Sequence, residues 1–569
     1  MRSKNPIGIG PRSWWLCAVI ALLTLAGGCG PSPSSPLTYD QAKQKLAQLR
    51  GNIAVTNAPP GQVDVTMAGA ANAADTLPDI ATFALPVNPT RDERSVVAEV
   101  FVSVDKSGTG RDGWMVEVGQ QFNATRQTLA SGKTAQIAVR WMPSGTGYEY
   151  IASGKYRPAG YSPSSTIWAD MARAQGAQID VVAERLVGDV PGVVMKSAVA
   201  ERLKAGKPAI DITDIVNATI QGKLQLGYTN PFASASGLTF LLTVLQTFAH
   251  GDESAMLSPA VASALEQFQK SVPFVAMTTP QLRDSVEQDG SLEAFVLGYS
   301  IYAQTPSLSS GYVFVPFGQR HDNPLFAVGP LSPEQREVLE RFARFAAGPG
   351  PQALATRYGF NPTLDWTPPY KDPSGKTAIE AQRLWKQKKN AGRPIAAVFL
   401  ADVSGSMGGT KIAQLRRALI DGGGFIAPSN AIGLASFSSN VTIQLPIRPF
   451  QLLQKAAYQT AAGRLAADGG TAMYNGIVVA LQMLEDYRQA NPDVRPMLFV
   501  LTDGQTNEGL NFGEVQAVIH TLGIPVYTIG FDADIKELAR LSALVEAASF
   551  NATEADLRYK LSALLNAQM

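Results

Sequence analysis

From Ser95 onward, apolar runs of strand length alternate with stretches whose apolar residues recur at helical spacing. Val96 to Val104 reads as a strand, a Ser/Gly/Thr loop follows from Lys106 to Gly110, and Trp114 to Phe122 has helical spacing. The plan repeats with a strand over Gln136 to Trp141, the loop Pro143-Ser144-Gly145-Thr146-Gly147 and a helix through Ile151. Beyond Pro394 the pattern predicts strands at 395–401, 432–437, 497–502, 525–529 and 548–550, and helices around 410–420, 472–486, 513–521, 534–546 and 554–566. Such alternation predicts an α/β fold with mainly parallel sheets, which bind ligands at the carboxyl ends of their strands. No fixed period marks a solenoid. Before Ser95 the texture differs: Tyr39 to Leu49 is helical in pattern, and the stretch to residue 90 is Ala-, Gly- and Pro-rich, an extension expected to pack on the α/β region after it.

Punctuation divides the chain further. At 569 residues it exceeds one core, and three or four folding units are expected. Thr367-Pro368-Pro369 and Asp372-Pro373-Ser374-Gly375 break regular structure, and Thr377 to Lys389 reads as a charged helix containing Trp385. Its Lys386, Lys388 and Lys389 are expected to form a solvated face. These breaks imply a leader at 1–28, a tether at 29–37, an N-terminal extension at 38–94, a first α/β module at 95–365, a linker and helix at 366–392, and a second α/β domain at 393–569.

Composition changes the picture in two places. Lys plus Arg (48) nearly cancels Asp plus Glu (47), so no net field favours nucleic acid or an anionic membrane. The N-terminus carries Arg2, Lys4 and Arg12, an apolar run from Trp14 to Leu25 that is short for a membrane span, and then Ala26-Gly27-Gly28-Cys29. This order is that of a secretory signal, and its end resembles a bacterial lipobox with Ala26 where Leu is commoner; the alternatives are a plain secretory signal or an uncleaved anchor. The resemblance makes Cys29 the lipidated first residue of the mature chain and discards Cys17, so no cysteine pair remains to form a disulfide.

Over 95–365 the sequence resembles the two-lobed periplasmic solute-binding proteins of the type II class. The landmarks are Ser153-Gly154-Lys155, Tyr161-Ser162-Pro163-Ser164-Ser165-Thr166, Gly227-Tyr228-Thr229-Asn230-Pro231, Ser234-Ala235-Ser236-Gly237 opening a long apolar helix, and Gly359-Phe360-Asn361-Pro362 at the end. Ser164, Ser165, Thr229, Ser234 and Ser236 precede helices, where free N–H groups favour polar or anionic ligands; the plainer reading of each is helix capping. Arg140 four residues before Ser144-Gly145-Thr146 suggests an oxyanion site, but Met142 stands where an acid belongs, so phosphate is not expected.

The candidate chemistry lies further on. The apolar run from Ala396 to Ala401 ends in Asp402, Ser404 and Ser406 at i, i+2 and i+4; Thr471 follows paired glycines, and Asp503 ends the apolar run Met497 to Leu501. Five oxygens of this kind suit a hard divalent cation. Residues 393–569 resemble the von Willebrand factor A family, a Rossmann-like fold with a central, mainly parallel sheet flanked by helices. All five residues match its metal-ion-dependent adhesion site (MIDAS). The resemblance implies Mg2+, or Mn2+ or Ca2+, with Ser404 and Ser406 binding directly, Thr471 conditionally, and Asp402 and Asp503 orienting water. It further implies a partner protein that supplies an Asp or Glu to the cation.

His250, His321 and His520 are remote from this motif in sequence, no nucleophile–base pair is evident, and the Gly-rich Lys motif of a phosphate-binding loop is absent. The expected function is therefore non-enzymatic: a cell-envelope lipoprotein, membrane-anchored, that adheres to a protein partner through a divalent cation. The alternative is a solute receptor of a transport system, with the second domain docking it.

Overall fold

The computed structural model describes residues 37–59, 77–272, 274–276, 278–289, 292–504, 506–531, 533, 535–543, 549–553 and 556–569. The leader, Cys29, most of the tether and residues 60–76 lie outside them. The described residues are mixed α/β, built on three sheets.

Two five-stranded sheets form the lobes of the first module. One runs in the order 134–141, 95–102, 160–162, 325–328, 179–183, and the other in the order 312–316, 191–196, 294–298, 226–229, 274–276. The strand Ser95–Val102 is buried from Ala98 onward because both its faces are covered, which explains its nearly unbroken apolar run. The helix Trp114–Ala124 buries Trp114, Met115, Val118 and Phe122 on one face. The Lys106 to Gly110 stretch, expected as a loop, is partly wound: Val104–Ser107 makes one helical turn and Gly110–Asp112 a 3-10 turn. The two chain crossings between the lobes meet in a bridge, Asp189 N to His321 O at 2.7 Å and His321 N to Asp189 O at 3.0 Å.

The third sheet has seven strands in the order 55–57, 441–449, 431–437, 395–402, 495–502, 526–531, 549–552. All its pairings are parallel except 431–437 with 441–449. The antiparallel strand Val441–Pro449 and the helix Leu452–Gly463 were not predicted. Polar Thr442, Gln444 and Arg448 and the breaker Pro446 hide the strand from a search for apolar runs.

The N-terminal extension divides between the two modules. The helix Tyr39–Gly51 is capped by Thr38 and Gln41, and it buries Ala42 and Leu46 against the helices Met473–Ala490 and Phe512–Leu522. The strand Val55–Asn57 then adds to the edge of the seven-stranded sheet, Val55 opposite Val441. Residues 77–87 pack on the first lobe instead, where Val87 bridges Val139. The first module is thus inserted between two parts of the domain that holds the seven-stranded sheet.

The linker helix, Gly375–Lys388, corrects an expectation. Its lysine row is not solvated: Lys389 is 6% exposed with its ammonium 3.1 Å from Asn566 O, Lys386 meets the Asn566 side chain, and Lys388 pairs with Glu266 at 2.8 Å. Burial holds Lys389 well below the usual lysine value. The helix lies across both lobes, with Trp385 donating to Tyr228 at 2.6 Å and Gln382 to Pro231 O at 2.8 Å, so Lys386 and Lys389 face the seam between the modules while Lys388 pairs within the first.

Candidate metal centre

Three loops at the carboxyl edge of the seven-stranded sheet assemble this site. The strand Ile395–Asp402 is buried at every position and delivers Asp402, fully buried, to that edge. Asp402 Oδ1 accepts from Ser404 N at 2.8 Å, which folds the Asp402–Ser406 turn, and Oδ2 accepts from Thr502 Oγ1 at 2.5 Å. Burial pushes the Asp402 carboxyl above its usual range, opposed by these bonds from Ser404 and Thr502.

Ser404 Oγ lies 3.1 Å from Ser406 Oγ, and Ser406 Oγ donates to Asp503 Oδ1 at 2.7 Å. Asp503 follows the strand Arg495–Thr502, which lies parallel beside Ile395–Asp402; this pairing brings together residues 97 apart in the chain. Thr471 joins through its backbone: Gly405 N donates to Gly469 O at 2.9 Å, Asp468 N to Val403 O at 2.7 Å, and Thr471 N to Asn507 Oδ1 at 2.8 Å.

Four residues of this neighbourhood escaped the sequence reading. Thr502 orients Asp402, Asn507 holds Thr471, and the Glu508 carboxylate lies over Gly470, where an added Cβ would come within 2.3 Å of it. Lys411 reaches back from the helix Thr410–Gly422 to put its ammonium 2.5 Å from Asp503 Oδ2. Thr502 was within reach, since it sits beside Asp503 in Thr-Asp-Gly; the other three depend on loop conformation.

The donors are hard oxygens, two of them neutral hydroxyls in mutual contact and two of them carboxylates, and this set fits a hard divalent cation such as Mg2+. Among the described residues no group of three or more His, Cys, Asp or Glu offers an alternative metal cluster.

The cleft residues gather less freely. Ser164, Ser234 and Ser236 line one small cavity with Ser103, Asp105 and Thr279, of about 20 Å³, room for a water. Ser164 donates to Asp105 at 2.8 Å, Thr229 donates to Ser234 at 2.9 Å behind the lining, and Ser165 is buried. Ser234 also caps its helix, accepting from Gly237 N at 3.4 Å. The lobes interlock at Gly145, whose N–H donates to Ala233 O at 3.1 Å and where a Cβ would sit 1.8 Å from Phe232 O. Arg140 is spent on Glu99 at 2.7 Å and on Phe83 O and Ile80 O, so the suggested oxyanion site does not form.

At the hinge behind the cavity, Lys106 is fully buried among Ser103 Oγ, Ser162 O and Asn323 Oδ1, and desolvation lowers its pKa to about 8. Asp189, also buried, accepts from Val190 N, Ser300 N and Ser300 Oγ, yet burial raises its pKa to about 7.

Known proteins match the two modules separately. Residues 397–565 match the model of the von Willebrand factor type A domain, and residues 107–361 match that of the bacterial extracellular solute-binding proteins. Inter-alpha-trypsin inhibitor heavy chain H1 of Mesocricetus auratus is 28% identical over 147 residues, 24% of this chain and 16% of that protein. Heavy chain H4 of Bos taurus is 33% identical over 122 residues, 20% of this chain and 13% of that protein. The chain therefore spans less than a fifth of the length of these curated relatives.

Among solved structures, a von Willebrand factor type A protein from Catenulispora acidiphila covers 31% of this chain and 42% of its own at 19% identity, with a TM-score of 0.28. A periplasmic thiamin-binding protein covers 53% and 98% at 11% identity, with a TM-score of 0.39. The chain thus carries one region that matches the solute-binding proteins and one that matches the von Willebrand factor type A domain. The first region is inserted between two parts of the domain that holds the second. The solute-binding match is to extracellular proteins, and no helix among the described residues is long and apolar enough to cross a membrane.

Proposed function

We propose that this protein is a non-enzymatic cell-envelope lipoprotein, anchored through Cys29, that binds a protein partner through a divalent cation held by Asp402, Ser404, Ser406, Thr471 and Asp503. The observation that carries this reading is the convergence of three loops at a sheet edge, where Ser404, Ser406 and Asp503 are linked through their side-chain oxygens, Asp402 holds the turn, and the Thr471 loop is tied to it through the backbone. Ser406 is exposed while Asp402 is fully buried, so the cluster opens outward from a rigid base. A cation bound there supplies positive charge to the surface and takes a carboxylate oxygen from the partner. Ser404 and Ser406 would hold it directly, and Asp402, fixed by Ser404 N and Thr502, keeps the turn in shape.

Affinity capture from envelope extracts tests the reading, with wild type and Asp402→Ala compared side by side, with and without EDTA. Partners lost in both the variant and EDTA, with the variant's circular dichroism unchanged, are the expected result. Capture that survives both treatments rejects the proposal.

A second reading, a solute receptor for transport, is favoured by the family match over 107–361. Against it stand the one-water cavity and the Asp105 carboxylate within it. A tight small-molecule hit in a thermal-shift screen of the full chain would move the balance to transport.

A further inference from the structure

Resting on the proposed cation site, one contact within it deepens that reading. Asp503 is divided between two partners: Oδ1 accepts from Ser406, and Oδ2 lies 2.5 Å from the Lys411 ammonium. The Asp503 side chain is 1% exposed and that of Lys411 29%, so the ion pair is partly shielded from water. Lys411 is the second residue of the helix Thr410–Gly422, where a cation opposes the helix dipole, so helix stability does not explain its place. The approach depends on Gly409, whose φ of +73° turns the chain so that the start of the helix returns over the site.

We propose that Lys411 is the positioning residue that sets how strongly the site takes its cation and why it then needs an anionic partner. Its ammonium and a divalent cation compete for the charge of Asp503. With Asp503 matched by Lys411, Asp402 is the one unmatched carboxylate of the five-residue set. Counted over the five-residue set and Lys411, a divalent cation then leaves one positive charge for a partner's carboxylate to meet, with Glu508 over Gly470 as the further anionic group beside the set. The chain alone holds the cation weakly, and the complex holds it firmly. A lysine in this contact thereby makes cation binding and partner binding mutually dependent.

Isothermal titration of the full chain in detergent with Mg2+, and separately with Mn2+, tests this on wild type, Lys411→Met, Lys411→Arg and Asp402→Ala. Circular dichroism and melting curves serve as the check on folding. Lys411→Met keeps an unbranched side chain only one atom shorter and removes the charge, so the cation should bind about tenfold tighter or more. Lys411→Arg keeps the charge and should stay within about threefold of wild type. Cation affinity in folded Lys411→Met equal to or below wild type overturns this inference and leaves the proposed site standing, provided that Asp402→Ala abolishes binding. No cation binding in either wild type or Lys411→Met overturns both.

Discussion

At the scale of single residues, the hinge between the lobes carries the clearest pH signature. Asp189 has a folded pKa raised to about 7, against an ordinary carboxyl value near 4, so the folded chain holds a proton there that the unfolded chain releases. The stability tied to this proton is fully present below pH ~4 and is lost as pH rises through about 7, with an upper limit of ~4 kcal/mol. His321, buried and lowered to about 4, works with the opposite sign between its folded and ordinary values, and Lys106, lowered to about 8, titrates above this window. Comparing wild type with Asp189→Asn isolates the carboxyl. The variant should gain stability relative to wild type as pH rises from 4.5 to 7.5 in chemical denaturation; a difference independent of pH would reject the assignment.

At the scale of elements, the helix Tyr39–Gly51 and the strand Val55–Asn57 belong to a domain whose remaining strands lie more than 300 residues further on. Ala42 and Leu46 pack against the helices Met473–Ala490 and Phe512–Leu522, and Tyr39 donates to Glu485 at 2.6 Å. Removing residues 37–58 uncovers this apolar face and opens the strand Val441–Pro449 as an edge. Residues 393–569 expressed alone should therefore melt lower and self-associate more than the same segment fused to 37–58 through a flexible linker, as scattering and calorimetry would measure. Equal melting and equal solubility would mean that the edge pairing contributes little.

At the scale of the molecule, the insertion orients the site. Asp402 pairs with Phe437, Phe437 with Val441, and Val441 with Val55, so the end of the N-terminal helix lies level with the metal-site edge. The start of that helix, at Tyr39, lies at the opposite pole, against Glu485 and Arg488. The helix carrying those two residues begins just after Thr471, and its rise from Met473 to Glu485 alone is ~18 Å. If Cys29 carries the lipid proposed above, nine residues of tether reach at most ~32 Å to Thr38, and the expected orientation has the candidate-site edge away from the membrane. A dye placed at Lys43 on lipidated protein in vesicles should be quenched by headgroup quenchers more than one at Thr410. The reverse order would place the site toward its own membrane.

Much of this architecture was legible in the chain alone. The buried strand 395–402 announced itself as an unbroken apolar run, and Asp402, Ser404 and Ser406 came within five residues, because a parallel strand must be apolar on both faces and must end where ligands bind. Such information is local, and so the sequence by itself determined the α/β class, the periodic elements around the site and the five oxygens proposed to hold a cation. Tertiary structure alone decided the partnerships. Val55 added to a sheet hundreds of residues away, Lys389 went into a seam, Asp105 into the cleft cavity, and Lys411 onto Asp503. No periodicity encodes these, since a short edge strand, a buried lysine or an ion pair between a helix and a distant loop is set by which surfaces meet when the chain packs.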